Sequence, residues 1–381
     1  MMYPEELNLA PGFWISATTI ISLILAAFSI RNRKMHLLLA DYTVMGFIFW
    51  LSAILFVYPL PNVLYGYLYL IEGIVVYFLF RINLLSKNVS DILKLLLSMI
   101  IFQGVLCIIQ FLLKHNIGLL VESALNSFQY GQTAVEDINT FRATGTYGHA
   151  NELSVILLFL LPLVFSFKTQ IISQFIWILG LLSLFMTQSR ASWAIGYPIN
   201  FLFLINYMKN KIDKKIKIFT IIALTILAII LTPSFISRIK TIPDSLISVG
   251  SGNTRIQLAK EAVNLISLSP VFGVGLNRFQ EIGSEYSSTG IFETNGFTAG
   301  TKSHNMILEM SAELGIPGIL IFLAFIGFIS KVLISKSKKN PFAKNLLFAW
   351  VSLLLISQFH PFLLTSQFRL FFLLAAMTLA I

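Results

Sequence analysis

The chain has 381 residues, 56% of them hydrophobic and only 12% charged, with a mean hydropathy of +0.82. A soluble domain carries about 25% charged residues, so soluble, disordered and disulfide-scaffold classes are excluded. The formal net charge of +10 points either to nucleic acid or to membrane orientation, depending on where the charges lie.

In chain order the apolar runs are Phe13–Ile30, Leu37–Pro59, Val63–Phe80, Ile92–Leu113, Leu153–Phe167, Ile171–Met186, Trp193–Met208 and Ile216–Thr232. They continue with His304–Ser330, Asn345–Leu364 and a short last run, Leu370–Ile381. These runs are continuous rather than alternating, which excludes a closed β-barrel. At roughly 20 residues per span, they predict an all-α polytopic membrane protein with about 11 (10–12) transmembrane helices. The whole chain, 1–381, reads as a single integral membrane domain. Met1–Pro11 carries Glu5 and Glu6 but no Lys or Arg, so the first run reads as a retained span rather than a secretory signal. The one cysteine, Cys107, cannot form an internal disulfide.

Two connections are long: a polar, mildly acidic one between Leu113 and Leu153, and residues 233–303, rich in Gly, Ser, Thr and Asn. Loops of that size are uncommon unless functional. Orientation follows from Lys and Arg in the short loops. Arg31, Arg33, Lys34, Arg81, Lys87, Lys94, Lys168, Lys209, Lys211, Lys214, Lys215 and Lys217 fall on one side. Lys331, Lys336, Lys338, Lys339 and Lys344 join them, and that side is assigned to the cytoplasm. Both long loops and the N-terminus then lie outside. The basic surplus is thus an orientation signal, and it says nothing about nucleic acid.

Several chemistries have no motif. Gly273-Val-Gly275-Leu-Asn-Arg278 lacks the third glycine of a dinucleotide loop and follows no βαβ pattern. There is no His-Glu-x-x-His, no Gly-x-Ser-x-Gly, and no metal-ligand spacing among the five His. The embedded acids Asp41, Glu72, Glu309 and Glu313 either couple transport to protons or pair with polar groups inside the bundle.

The outer face carries the candidates. Arg190 lies in Met186-Thr-Gln-Ser-Arg-Ala-Ser-Trp193 at the outer boundary, either a snorkelling arginine or a ligand for an anion. Arg255 opens a segment in which Ile256, Ala259, Val263 and Ile266 recur at helical spacing. This predicts an amphipathic helix in the outer interface with Arg255 in its first turn. A cation there gains nothing from the helix dipole, so an anionic ligand or plain solvation is its partner. His304 sits where the long loop re-enters the membrane; Ser303 is expected to cap the helix and leave His304 in its first turn. The positive helix end and partial desolvation favour a neutral imidazole, the state a general base requires. Two arginines and a neutral histidine suit a substrate whose leaving group is an anionic phosphate, because Arg forks onto phosphate oxygens.

Several segments now carry a resemblance. They are Arg142-Ala-Thr-Gly-Thr-Tyr-Gly-His-Ala-Asn-Glu152, Thr187-Gln-Ser-Arg190, Thr254-Arg255, Pro270-Val-Phe-Gly-Val-Gly-Leu-Asn-Arg-Phe279, Ser303-His-Asn-Met-Ile-Leu-Glu309 and Glu313-Leu-Gly-Ile-Pro-Gly318. In order and spacing they resemble the bacterial O-antigen ligase and repeat-unit polymerase superfamily of membrane glycosyltransferases, over residues 141–327 including the outer loop 233–303. The resemblance implies that Arg190, Arg255 and His304 are the functional set. The arginines hold the pyrophosphate of a polyprenyl-linked glycan, and His304 activates the acceptor. Arg142, Arg278, Lys302 and Asn305 are further substrate-binding candidates. It also implies metal-independent chemistry without a cofactor, in the bacterial cytoplasmic (inner) membrane with the site facing the periplasm or cell exterior. Expected partners are an undecaprenyl-pyrophosphate-linked donor, a glycan or lipid A-core acceptor, a chain-length regulator and the bilayer. Family members usually begin inside the cell, whereas the loop charges here put the N-terminus outside. A repeat-unit polymerase is the favoured reading, an O-antigen ligase the alternative, and a lipid-linked sugar transporter a more distant one.

Overall fold

Hydrophobic runs become helices close to where the sequence places them. The computed structural model describes residues 37–83, 89–115, 117, 141–147, 149–166, 170–208, 214–240, 251–291 and 302–381. The expected first span, Phe13–Ile30, and nearly all of the connection after Leu113 as far as residue 140 lie outside the described residues. Every regular element among the described residues is helical: α1 (Leu39–Val57), α2 (Pro61–Asn83), α3 (Val89–Leu113), α4 (Ala150–Leu160), α5 (Gln170–Met186) and α6 (Arg190–Met208). They continue as α7 (Lys214–Lys240), α8 (Ser251–Leu268), α9 (Phe279–Glu285), α10 (Met306–Ser337), α11 (Pro341–Ile356) and α12 (Ser366–Ala380). A 3-10 turn, Leu161–Ser166, follows α4.

Among the described residues, four helical stretches are long and apolar enough to cross a membrane: Leu39–Val57, Pro61–Ile82, Leu93–Leu113 and Met306–Ser337. Ala150–Ser166, Ile171–Met186, Pro341–Ile356 and Gln367–Ala380 are shorter apolar stretches.

The chain divides into two compact units, one of Met1–Val89, Thr254–Ser335 and Ser357–Ile381, the other of Ser90–Asn253 and Lys336–Ile356. In the first, α12 packs along α2, and aromatic side chains fill the centre. The Phe322 ring lies 5.6 Å from those of Phe47 and Phe362 and 6.0 Å from that of Phe368. Tyr77 meets Phe325 and Phe372 edge-on, an orientation that adds about 1 kcal/mol per pair beyond area burial. Its hydroxyl donates to buried Asp41 at 2.6 Å, and Arg369 pairs with buried Glu72 at 2.7 Å.

In the second unit α11 packs on α4 and the 3-10 turn. Indoles satisfy their N–H groups internally: Trp177 donates to Asn200 at 3.0 Å and Trp193 to the Leu184 carbonyl at 3.1 Å. Two glutamines two turns apart on one face of α3 hold the backbone of residues 144–146. Gln110 accepts from the Thr144 and Gly145 N–H groups, and Gln103 accepts from that of Thr146.

The decisive feature of the first unit is a break in α10. Gly315 has φ 72°, a conformation that leaves the helix, and Pro317 has no N–H to continue it. The break frees the carbonyls before it, and each finds a donor. Ala312 O accepts from Val274 N at 2.8 Å, Glu313 O from Gly275 N at 3.2 Å, and Leu314 O from Trp50 Nε1 at 2.8 Å. In return Ile316 N donates to Pro270 O at 2.8 Å. The loop 270–275 therefore clasps the kink. A Cβ on Gly315 would run into the Val271 carbonyl oxygen, and one on Gly273 (φ 67°) into the Glu313 backbone.

Gly315→Ala combines a left-handed backbone with that collision, so it should cost well over about 1 kcal/mol. A clear fall in the detergent-solubilised melting temperature, together with lower yield, is the expected result. An unchanged melting temperature would contradict the clasp.

Candidate functional site

Two of the three candidate residues, Arg255 and His304, are carried by elements built on the clasp. Helix α8 lays Leu258, Ala262 and Leu265 against Val274, Phe279, Ile291 and Ala312 in a buried apolar cluster. Ile256 and Val263 are exposed, at 48% and 57%, because Leu258, Glu261, Ala262 and Leu265 form the face that packs inward. Glu261 is buried and anchors the loop beyond α9. It accepts from the N–H groups of Ser288 and Thr289 and from the hydroxyls of Ser287, Ser288 and Thr289. Burial would push its carboxyl up, but those donors outweigh burial and hold it below the usual carboxylate range. Arg255 is the fifth residue of α8, so it sits in the second turn rather than the expected first.

The turn ahead of α10 is fixed on both sides. Lys302, buried, forms an ion pair with buried Glu313. The Glu313 carboxylate also accepts from Asn277 N at 2.9 Å and Phe279 N at 3.3 Å. One carboxylate thus ties the incoming chain, the loop after the clasp and the start of α9 together. The helix cap is Asn305, whose Oδ1 accepts from Leu308 N at 3.0 Å. Ser303 was expected in that role, but it closes a local turn with Asn305 instead. On the far side Asn305 Nδ2 donates to Gln358 O, and Met306 N to Ser357 O at 2.8 Å. Glu309 accepts from Phe362 N at 2.9 Å and Leu363 N at 2.8 Å. These bonds hold the chain out of helix after Ile356, which is why α11 stops short of the expected Leu364. The four embedded acids all pair within the protein.

His304 therefore precedes the helix rather than opening it. Its φ is 56°, a left-handed conformation that a non-glycine residue adopts at a cost. The Nδ1 atom is buried with no hydrogen-bond partner among the described residues. Burial first, and the nearby Arg255 guanidinium second, push its pKa down to about 3. The imidazole is neutral, as expected, and the Arg255 charge is a cause that spacing did not reveal.

In the second unit Arg190 is the first residue of α6, half-buried, after a turn in which Gln188 has φ 51°. Arg142 is buried beneath that turn. Its Nε donates to Thr187 O at 2.9 Å and its Nη2 to Asn151 Oδ1 at 2.7 Å. In the first unit Arg278 donates to Glu281 at 2.9 Å and to the Val274 carbonyl, over the Tyr58 ring. Arg142, Arg278, Lys302 and Asn305 are thus each engaged by protein groups, an arrangement that holds the loops carrying Arg190, Arg255 and His304. Sequence reasoning missed Glu313 as the hub of that arrangement. Its signal was present: a carboxylate that needs a cation, eleven residues from Lys302.

Residues 175–323 match a protein-family model described as O-antigen ligase. The matched stretch contains Arg190, Arg255, Arg278, Lys302, His304 and Asn305 and leaves out Arg142. No curated protein matches the chain.

The depressed imidazole pKa fixes a pH dependence. An unfolded chain binds a proton on His304 below its ordinary value of 6.5, while the folded chain resists until about 3. Protons bound only by the unfolded state make stability fall as pH drops through that window. His304→Asn, which tolerates the left-handed backbone, should flatten the fall in melting temperature between those pH values. Identical slopes for the two proteins would refute the assignment.

Proposed function

We propose that this chain, which carries an O-antigen ligase family domain over residues 175–323, is a membrane glycosyltransferase. It transfers an undecaprenyl-pyrophosphate-linked oligosaccharide onto a sugar hydroxyl at the outer face of the cytoplasmic membrane, as a repeat-unit polymerase. The observation that carries this reading is a neutral His304 held in a strained turn under the charge of Arg255. In the reaction the acceptor oxygen attacks the anomeric carbon, and the bond from that carbon to the diphosphate oxygen breaks. The electron pair leaves with the diphosphate. Arg255 and Arg190 neutralise the charge that builds there, and His304 takes the acceptor proton. Arginine suits this task because its fork grips two oxygens at once.

The transporter alternative needs a titratable acid left available for coupling. Asp41, Glu72, Glu309 and Glu313 are each committed to internal partners, which favours the enzyme. Ligase and polymerase use the same donor and differ in the acceptor. A deletion strain separates them: single repeat units on the final acceptor mark a polymerase, and full-length polymer left on the lipid carrier marks a ligase.

His304→Ala and Arg255→Lys should each leave the protein folded and inserted while lowering transfer by at least about a hundredfold, measured with purified donor and acceptor. The lysine variant is the sharper test, since it keeps the charge and removes the fork. Near-normal turnover in both would sink the assignment.

A further inference from the structure

Away from the candidate site, the second unit holds a cavity of about 200 Å³ at the turn between α10 and α11. It is lined by Phe203, Asn206, Lys338, Lys339, Lys344 and Asn345, together with the turn residues between them. Three lysines line one small volume, and no Asp or Glu among the described residues lines it. The turn is built rigidly. Lys339 N and Asn340 N both donate to Lys336 O, at 3.1 and 2.9 Å, closing the end of α10. Pro341 then starts α11 at once, with Asn340 Oδ1 accepting from Phe342 N at 2.9 Å. Proline at the first helical position needs no N–H partner, so the second helix begins without slack. Lys344 is held in place by Asn206 Oδ1 at 2.6 Å, while Lys338 and Lys339 are exposed. Phe203, buried beneath, stacks edge-on with Phe348 at 5.2 Å and fixes the floor.

A flat scatter of lysines would serve orientation alone. Here three of them are gathered around a preformed recess with amide groups beside them, at the end of a membrane-length helix. That end is also the one the loop charges assign to the cytoplasm. We propose that this cavity is a binding site for a phosphoryl anion, supplied by the headgroup of an anionic glycerophospholipid in the adjoining leaflet. Basic recesses between helices at a membrane surface recognise such headgroups through charge and hydrogen bonds. A lipid brings its phosphate to the depth of this turn, whereas a soluble anion has to be held against bulk water. The proposal is independent of the glycosyltransferase reading.

The test uses the full-length protein in nanodiscs of phosphatidylethanolamine with a minority of phosphatidylglycerol, and counts retained lipids by native mass spectrometry. Wild type should retain phosphatidylglycerol preferentially, and K338Q/K339Q/K344Q should lose that retention by about tenfold or more. K214Q/K215Q/K217Q, which removes as much charge from α7, should retain it. Equal losses in the two triples would mean diffuse attraction and overturn the site, as would no loss in the first. A second arm adds inorganic phosphate to lipid-free protein at constant ionic strength and follows the melting temperature. Stabilisation by phosphate, with phosphatidylglycerol retention unaffected by the cavity substitutions, would overturn the lipid source. If the first triple folds poorly, K338Q/K339Q leaves the Lys344–Asn206 contact intact and should still show the loss.

Discussion

The structure of the first unit depends on how three carbonyls are satisfied. A helix broken in an apolar environment exposes polar groups that water cannot reach, each at a cost of several kcal/mol. Gly315 and Pro317 break α10, and the carbonyls of Ala312, Glu313 and Leu314 then require donors from elsewhere. Val274 N, Gly275 N and the Trp50 indole supply them. Because the donors on the loop are backbone groups at close approach, residues 273 and 315 must be glycine. Arg255 and His304 both hang from this clasp: α8 packs on it, α9 follows it, and the histidine turn is tied to it through Glu313.

Glu313 extends the same constraint from backbone to charge. Its side chain satisfies the N–H groups of Asn277 and Phe279 while holding the Lys302 ammonium. A buried ion pair offers little net stability by itself, since desolvation offsets much of the attraction. Here both members are hydrogen-bonded or enclosed, and the pair sets where residue 302 lies. Two residues later the backbone turns left-handed at His304, and Asn305 caps α10. The strain at residue 304 is therefore stored between two fixed points, the Glu313 contact before it and the Asn305 cap after it.

Much of this was legible in the sequence, and the rest failed for definite reasons. Helix positions among the described residues followed from continuous apolar runs, and four of those helices have the length and apolar composition of a membrane span. Helix α8 was legible as a helix, but its buried face was not. Ile256 and Val263 are as apolar as Leu258 and Leu265, so periodicity alone could not say which stripe meets the protein. Ser303 and Asn305 are both good caps, and the choice between them is made by Gln358 and Ser357, which are distant in sequence. The glycines of the 270s loop carried no reading as a phosphate cradle. Their purpose is visible only beside the Glu313-Leu-Gly-Ile-Pro motif, which accepts what they donate.

The neutral histidine raises a point about basicity that the same geometry answers. An imidazole with a pKa near 3 is a poor base, and a general base works best with a pKa close to the ambient pH. Burial and the Arg255 charge are what depress it, and the second of these depends on occupancy. A diphosphate bound to Arg255 brings negative charge against the guanidinium and cancels much of its field at the imidazole, which raises the histidine pKa. On the proposed reading, the empty site would keep His304 uncharged and weakly basic, and a bound donor would relieve the smaller of the two causes, leaving burial to be offset by the incoming acceptor. One arginine would thereby hold the leaving group and make proton transfer contingent on that group being present.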